Sequence, residues 1–495
     1  MGKAAPTDAP RVVVIGAGIS GLAMGIKLKR AGLDNFRILD ADSGLGGTWR
    51  VNTYPGAAVD IASAIYQFGF RTHWWRRTHA NQDEVLAYLE DVAEENGLAP
   101  HFTFDCRVVE ARWDDAAHHY QLATADGETI TCDVLVSAVG LLSNPQEPGW
   151  PGIESFEGPI FHTARWNHDV DLSGARVAVV GVGSSAVQIV PAIAPEAKSV
   201  HVFQREPAWI VDKGDRPFTP EELRRKASPW YRRRERIRLI AKKEWANWTG
   251  SPTYVAGSRR NKQAEARARA YIDRVFADRP DLREALTPSY PFEGKRLVQS
   301  SDFYPALLRD NVHLVPHAVA EVTPNGLVDA QGTKHELDVI VTATGFTAST
   351  FLASLDIYGR GGRRLRDVWA DGAFAFVGMT VPGFPNFYMQ FGPNTNGAGA
   401  VSLYWKAEQQ ANWVVRDIRR MTRTGLTAID THAWATSTYN AWMQRRLQRT
   451  VWATANNYFK HPSGRIVTQF HGSITLQWLL LRLGRRLGTY GRRRP

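Results

Sequence analysis

The chain has 495 residues, too long for one compact core, and two or three domains are expected. Its 44 % hydrophobic and 22 % charged content is ordinary for a globular protein, and its two cysteines, Cys106 and Cys132, exclude a disulfide framework, a CxxC redox pair and a cysteine metal site. The net charge of +11 is uneven: residues 221–300 carry +10, residues 461–495 carry +7, and the remainder is acidic at −6. The opening MGKAAPTDAP has no apolar signal core, and Pro6 breaks the myristoylation pattern. No run approaches the roughly 18 apolar residues of a spanning helix, and the lack of a disulfide framework fits a cytoplasmic setting.

Residues 11–32, RVVVIGAGISGLAMGIKLKRAG, open on a β-branched run, Val12 to Ile15, suited to a buried parallel strand. Gly16, Gly18 and Gly21 then form GxGxxG ahead of a helix that carries Ser20 in its first turn. The first glycine permits the tight turn, the second lets backbone approach a pyrophosphate, and the third lets helix and strand pack closely. The helix amides face the phosphates. The next strand, FRILD, ends in Asp40, where a carboxylate can accept ribose hydroxyls. Gly46 and Gly47 add a turn whose amides can reach a phosphate.

Residues 175–194 repeat the design. Val177 to Val180 is the strand, Gly181, Gly183 and Ala186 give GxGxxA, and Ser184, Ser185 and Gln188 lie around the turn. The following strand ends in Gln204-Arg205 rather than an acid. A guanidinium there suits a 2′-phosphate, so NADP is expected over NAD, although Glu206 follows and opposes the charge. The expected fold is therefore α/β, with two Rossmann-like dinucleotide-binding domains. Two such sites without a redox cysteine pair point to electrons passing from a nicotinamide through a flavin to an outside acceptor, with dioxygen the obvious one.

Between the two turns, FEGPIFHTARWNHD at 156–169 resembles the FxGxxxHxxxW fingerprint of the type I Baeyer–Villiger monooxygenases, through Phe156, Gly158, His162 and Trp166. That family usually follows the tryptophan with Pro or Asp, and here Asn167 stands there. A second family pattern is met by Gly46, Gly47, Trp49, Tyr54, Pro55, Gly56 and Asp60, and the likeness extends to ATGF at 343–346 and FGPNTN at 391–396. The resemblance implies that NADPH reduces FAD, that the reduced flavin captures dioxygen, and that a deprotonated flavin peroxide converts a ketone into an ester or lactone. It implies that Arg296 stabilises the peroxide, that Asp60 holds Arg296, and that Lys295 and Arg205 reach the NADP 2′-phosphate. The FAD site would comprise Gly16, Gly18, Ser20, Gly21, Asp40, Gly47, Thr48, Trp49, Asp60, Tyr66 and Val108. The NADP site would comprise Gly181, Gly183, Ser184, Ser185, Ala186, Gln188, Arg205 and Lys295. Oxidation at nitrogen or sulfur of a small molecule, or a non-catalytic flavoprotein sensing NADPH, are the alternatives.

The FAD domain is expected at 1–150 and 345–475, with VIVTATGF closing its sheet, and the NADP domain at 151–217 and 291–344. A helical insertion is expected at 218–290 and a basic tail at 476–495. His162 has no second ligand at metal spacing, so no metal is expected, and it reads as a hydrogen-bonding hinge between the cofactor halves. Within the insertion, Ile237, Ile240, Ala241, Trp245 and Trp248 recur at helical spacing, which predicts an amphipathic helix packed on the cofactor domains. No nucleic-acid motif accompanies its basic residues. Residues 450–475 are expected to fold over NADP. The tail, LQWLLLRLGRRLGTYGRRRP, reads either as a solvated basic segment or as a weak contact with an anionic membrane.

Overall fold

The computed structural model describes residues 9–248, 253–397 and 402–494, so most of the N-terminal stretch read for targeting signals lies outside it. Two five-stranded parallel sheets organise the molecule. In the first, Phe387–Met389, Val134–Ser137, Val12–Ile15, Phe36–Leu39 and Phe102–Thr103 lie side by side in that order. In the second the order is Val312–Val315, Ser199–Phe203, Arg176–Val180, Val339–Thr342 and Ile160–His162. The central strands are continuous apolar runs, Val12–Ile15 and Val339–Thr342 being buried throughout, because helices and a further sheet cover both faces. That further sheet, of Asp356–Tyr358, Val108–Asp114, His119–Thr124 and Thr129–Cys132, shares a hydrophobic cluster with Val13, Ile15 and Leu135 of the first.

Three expectations are corrected. The VIVT of VIVTATGF does not close the first sheet. Val339–Thr342 pairs with Arg176–Val180 and Ile160–His162 in the second, and the strand that returns to the first sheet is Phe387–Met389. A buried β-branched strand satisfies either sheet's apolar demand equally, so its pattern does not choose between them.

The helix of the insertion, Pro229–Trp248, does not bury its apolar stripe. Ile240 is half-buried, but Ile237, Ala241, Trp245 and Trp248 are exposed. Its inward positions are held by polar contacts instead. Arg232 donates to the Lys226 carbonyl at 2.6 Å, Glu235 pairs with Lys226, and Glu244 accepts from the backbone N–H of Ile474 and Thr475, both at 3.0 Å.

The basic tail is folded. Ile474–Gly488 is a helix packed on the helix Leu403–Thr424, and Thr489–Arg492 pairs antiparallel with Ala428–Thr431. Arg485 enters the interior and pairs with the fully buried Asp417 at 2.9 Å. A buried charge holds a segment in place because leaving its partner alone is costly, which no hydropathy pattern records.

Candidate active site

Both glycine turns press backbone against backbone. Gly16 sits at φ +108°, and a Cβ there would lie 2.6 Å from the Ala138 carbonyl oxygen; at Gly181, with φ +125°, the same oxygen belongs to Ala343 at 2.5 Å. Only glycine adopts that φ freely and leaves that space. A Cβ on Gly21 would stand 1.8 Å from the Gly16 oxygen, and one on Gly47 2.9 Å from the Gly18 Cα, so the second glycine pair rests directly on the first turn. The helices that follow, Ile19–Arg30 and Ala186–Ile193, have no capping side chain and no acid in their first turns. Their N-terminal amides are therefore open to an anion, and these two cradles fit two dinucleotide pyrophosphates. Asp40 accepts from the backbone N–H of Ala17 at 2.5 Å and of Asp42 at 2.9 Å. Burial raises its pKa against the opposing pull of those amides. Val108 is buried among the core residues beside Cys106, whose amide donates to the Asp40 carbonyl at 2.8 Å.

The chain from Gly47 to Tyr66 runs from the first cradle towards the second. Thr48 opens a one-turn helix, and the Trp49 indole N–H donates to the Tyr66 hydroxyl at 2.9 Å. Tyr66 meets Tyr404 edge-on at 5.0 Å, so its ring is fixed by the core. Gly56, at φ +81°, lets this loop approach the helix Ala186–Ile193, where a Cβ would lie 2.5 Å from the Gln188 carbonyl oxygen.

Arg296 is the point where the two halves meet. Its Nη2 donates to Asp60 Oδ2 at 2.8 Å, across 236 sequence positions, and its Nε donates to Ser184 Oγ of the second glycine turn at 3.3 Å. Its side chain remains 46 % exposed, so the guanidinium is anchored and still accessible. Desolvation works against its charge, but Tyr458 and Asp60 outweigh it and hold its pKa above the usual arginine value. Lys295 pairs with Glu206 and lies 5.0 Å from the Tyr290 ring centre, which puts it beside Arg205. Arg205 itself is exposed.

The Gln188 side chain bridges the two halves. Its Nε2 donates to the Ala58 carbonyl at 3.0 Å, and its Oε1 accepts from the Tyr54 hydroxyl at 3.1 Å, so it clamps the loop that carries Asp60. Tyr54, which the second family pattern includes, belongs to this clamp, and burial pushes its pKa up to about 12. One residue was missed on the sequence. Tyr458 reaches Arg296 from the segment read as folding over NADP. An aromatic within that segment was the only local signal.

The fingerprint stretch is structural in its geometry. A Cβ on Gly158 would lie 2.3 Å from the Asp338 carbonyl oxygen. His162 ends the edge strand of the second sheet, is buried, and accepts from the Ala164 N–H through Nδ1 at 3.0 Å. Burial lowers its pKa. Its ring stands edge-on to Phe346 at 5.7 Å. Trp166 packs edge-on to Phe161 at 5.1 Å, and Asn167 Oδ1 accepts from the Asp169 N–H at 3.0 Å. An aspartate could make that same turn contact, which accounts for Asn167 being tolerated there.

The family profile described as pyridine nucleotide-disulphide oxidoreductase matches residues 13–269. Both cysteines are buried and free, so the shared feature is the dinucleotide scaffold and not a disulfide relay. A Baeyer-Villiger monooxygenase of Pseudomonas aeruginosa is 37 % identical over 469 residues, covering 93 % of this chain and 88 % of the relative. Among solved structures, an oxidized steroid monooxygenase bound to NADP is 31 % identical with a TM-score of 0.87, covering 98 % of this chain and 99 % of the other. OTEMO in complex with FAD and NADP is 28 % identical with a TM-score of 0.88 and the same coverage. Likeness of this degree along nearly the whole of both chains places the protein in a family: it belongs to the Baeyer–Villiger monooxygenases, enzymes that depend on FAD and NADPH.

Proposed function

We propose that the enzyme oxidises a ketone to an ester or lactone, with Arg296 as the catalytic cation and Asp60 as the residue that positions it. The first cradle, from Gly16 to Gly21 with Gly47 and Asp40, would hold FAD, and the second, from Gly181 to Ala186 with Arg205 and Lys295, would hold NADP. When bound, FAD supplies the centre that activates dioxygen and NADPH supplies the hydride. A ketone carbonyl under attack gathers negative charge on its oxygen, and a fixed positive group there lowers the barrier. The carrying observation is the double hold on Arg296, by Asp60 from one half and Ser184 from the other. A guanidinium held at two of its nitrogens keeps its direction, and it stays charged at any working pH. Gln188 and Tyr54 fix the loop beneath Asp60, and Tyr458 bounds the guanidinium on another side.

The test is a product screen of the holoenzyme with NADPH and isotopically heavy dioxygen, against cyclic and linear ketones and against sulfides. Mass spectrometry should find one heavy oxygen in an ester or lactone. In Arg296→Ala, NADPH should still bleach the bound FAD, while ester yield falls by about 10²–10³-fold or more. Ester formation at the normal rate in that variant would overturn the role of Arg296. Sulfoxide as the sole product would favour oxidation at heteroatoms.

A further inference from the structure

We propose that the outward faces of the helices Pro229–Trp248 and Ile474–Gly488 form one docking surface for an anionic lipid membrane. Each helix sets large apolar side chains on its outward face, even though the second also buries Leu481 and packs Leu476 and Leu480 on the core and the first half-buries Leu239 and Ile240. On the first, Trp230 is 68 % exposed, Ile237 57 % and Trp248 66 %, and Trp245 is exposed on the same face. On the second, Gln477 is buried and Arg485 is committed to Asp417, while Trp478, Leu479, Leu483 and Leu487 point to solvent, Leu487 at 69 %. The spacing of 479, 483 and 487 keeps these leucines on one stripe.

The two faces adjoin. The Glu244 carboxylate accepts from the Trp248 indole N–H at 3.0 Å and from the amides of Ile474 and Thr475, so Trp248 lies beside the first turn of the second helix. Basic residues alternate with the apolar ones: Arg233, Arg234, Arg238 and Lys242 on one helix, Arg482 and Arg486 on the other, all exposed. Neither helix exposes an acidic side chain, since Glu235 and Glu244 are turned inward.

Large apolar side chains set among cations describe a helix lying in the headgroup plane, where tryptophan and leucine enter the acyl boundary and arginine meets lipid phosphate. A second copy fits less well. Two identical faces brought together about a twofold axis would set arginine against arginine. A nucleic acid would meet the cations but gain nothing from a leucine stripe. No helix among the described residues is long and apolar enough to cross a membrane, so the contact proposed is with its surface.

Removing the C-terminal residues would break the Arg485–Asp417 pair and the Thr489–Arg492 strand, so the test uses surface substitutions in the full-length holoenzyme. Flotation is measured with vesicles of phosphatidylcholine alone and of phosphatidylcholine with phosphatidylglycerol. One variant carries Leu479→Gln, Leu483→Gln and Leu487→Gln, and another Arg233→Gln, Arg234→Gln and Arg238→Gln. The enzyme should float with the anionic vesicles at least tenfold more than with neutral ones. Each variant should lose at least tenfold in that binding while keeping its FAD content and its NADPH oxidation rate. Absence of flotation with anionic vesicles, or equal flotation of the variants, overturns the proposal. So does a dimer seen by sedimentation in the wild type and abolished by the leucine substitutions, because the covering partner is then a second copy.

Discussion

The two glycine turns solve one backbone problem with different side chains. Gly16 and Gly181 do the same work, each at positive φ and each against the carbonyl of the residue that follows a neighbouring strand by one position. They part at the third position, Gly21 against Ala186, and at the end of the next strand, Asp40 against Arg205. In the first turn a Cβ at position 21 has no room, while Ala186 is accommodated in the second. The comparison separates what a cradle needs in general, glycine where backbone meets backbone, from what selects its ligand, the charge beyond the second strand.

Breaking the first cradle should have the largest effect. Gly21→Ala places an atom 1.8 Å from the Gly16 oxygen, and a strained core position of this kind costs about 3 kcal/mol or more. Loss of bound FAD on purification and a lower Tm are expected, and a stable yellow variant would refute the reading of that contact. Gln188→Leu tests the clamp between the halves. It leaves the Tyr54 hydroxyl and Ala58 backbone without their partner, worth about 1–3 kcal/mol. Tm should fall and ester yield with it, because the loop bearing Asp60 loosens.

Arg205→Ala sharpens the ligand side of the comparison. The KM for NADPH should rise about tenfold or more with kcat little changed, as for lost uniform binding, while the KM for NADH stays put. Equal rises for both nucleotides would deny the 2′-phosphate role. Ala186→Gly should do least. It removes a methyl group at the start of a helix and adds chain entropy, a cost of about 0.5–1 kcal/mol read in the denaturation midpoint, with NADPH affinity kept.

The two turns were legible because their constraints are local. A strand, a glycine at positive φ and a helix N-terminus are set by neighbours within a few residues. The pairing of Arg296 with Asp60 was reached through resemblance rather than pattern, since nothing along 236 positions marks two charges as neighbours. The clamp that Gln188 forms left no mark in the sequence, because a glutamine's partner depends on which loop is folded against it. The insertion helix was misread because helical spacing identifies a stripe but not which side of it the protein covers. The folding of the basic tail was not legible because it depends on Arg485 meeting Asp417 from a distant segment.

By itself, then, the sequence determined two dinucleotide cradles, the charge that distinguishes them, and the absence of a redox cysteine pair to carry electrons between them. The tertiary structure alone decided which sheet Val339–Thr342 joins, which face of Pro229–Trp248 turns outward, and how Arg296 comes to be held from both halves. The division is physical. Backbone sterics act over a few residues and leave a readable pattern, whereas burial and ion pairing depend on groups brought together only when distant segments pack.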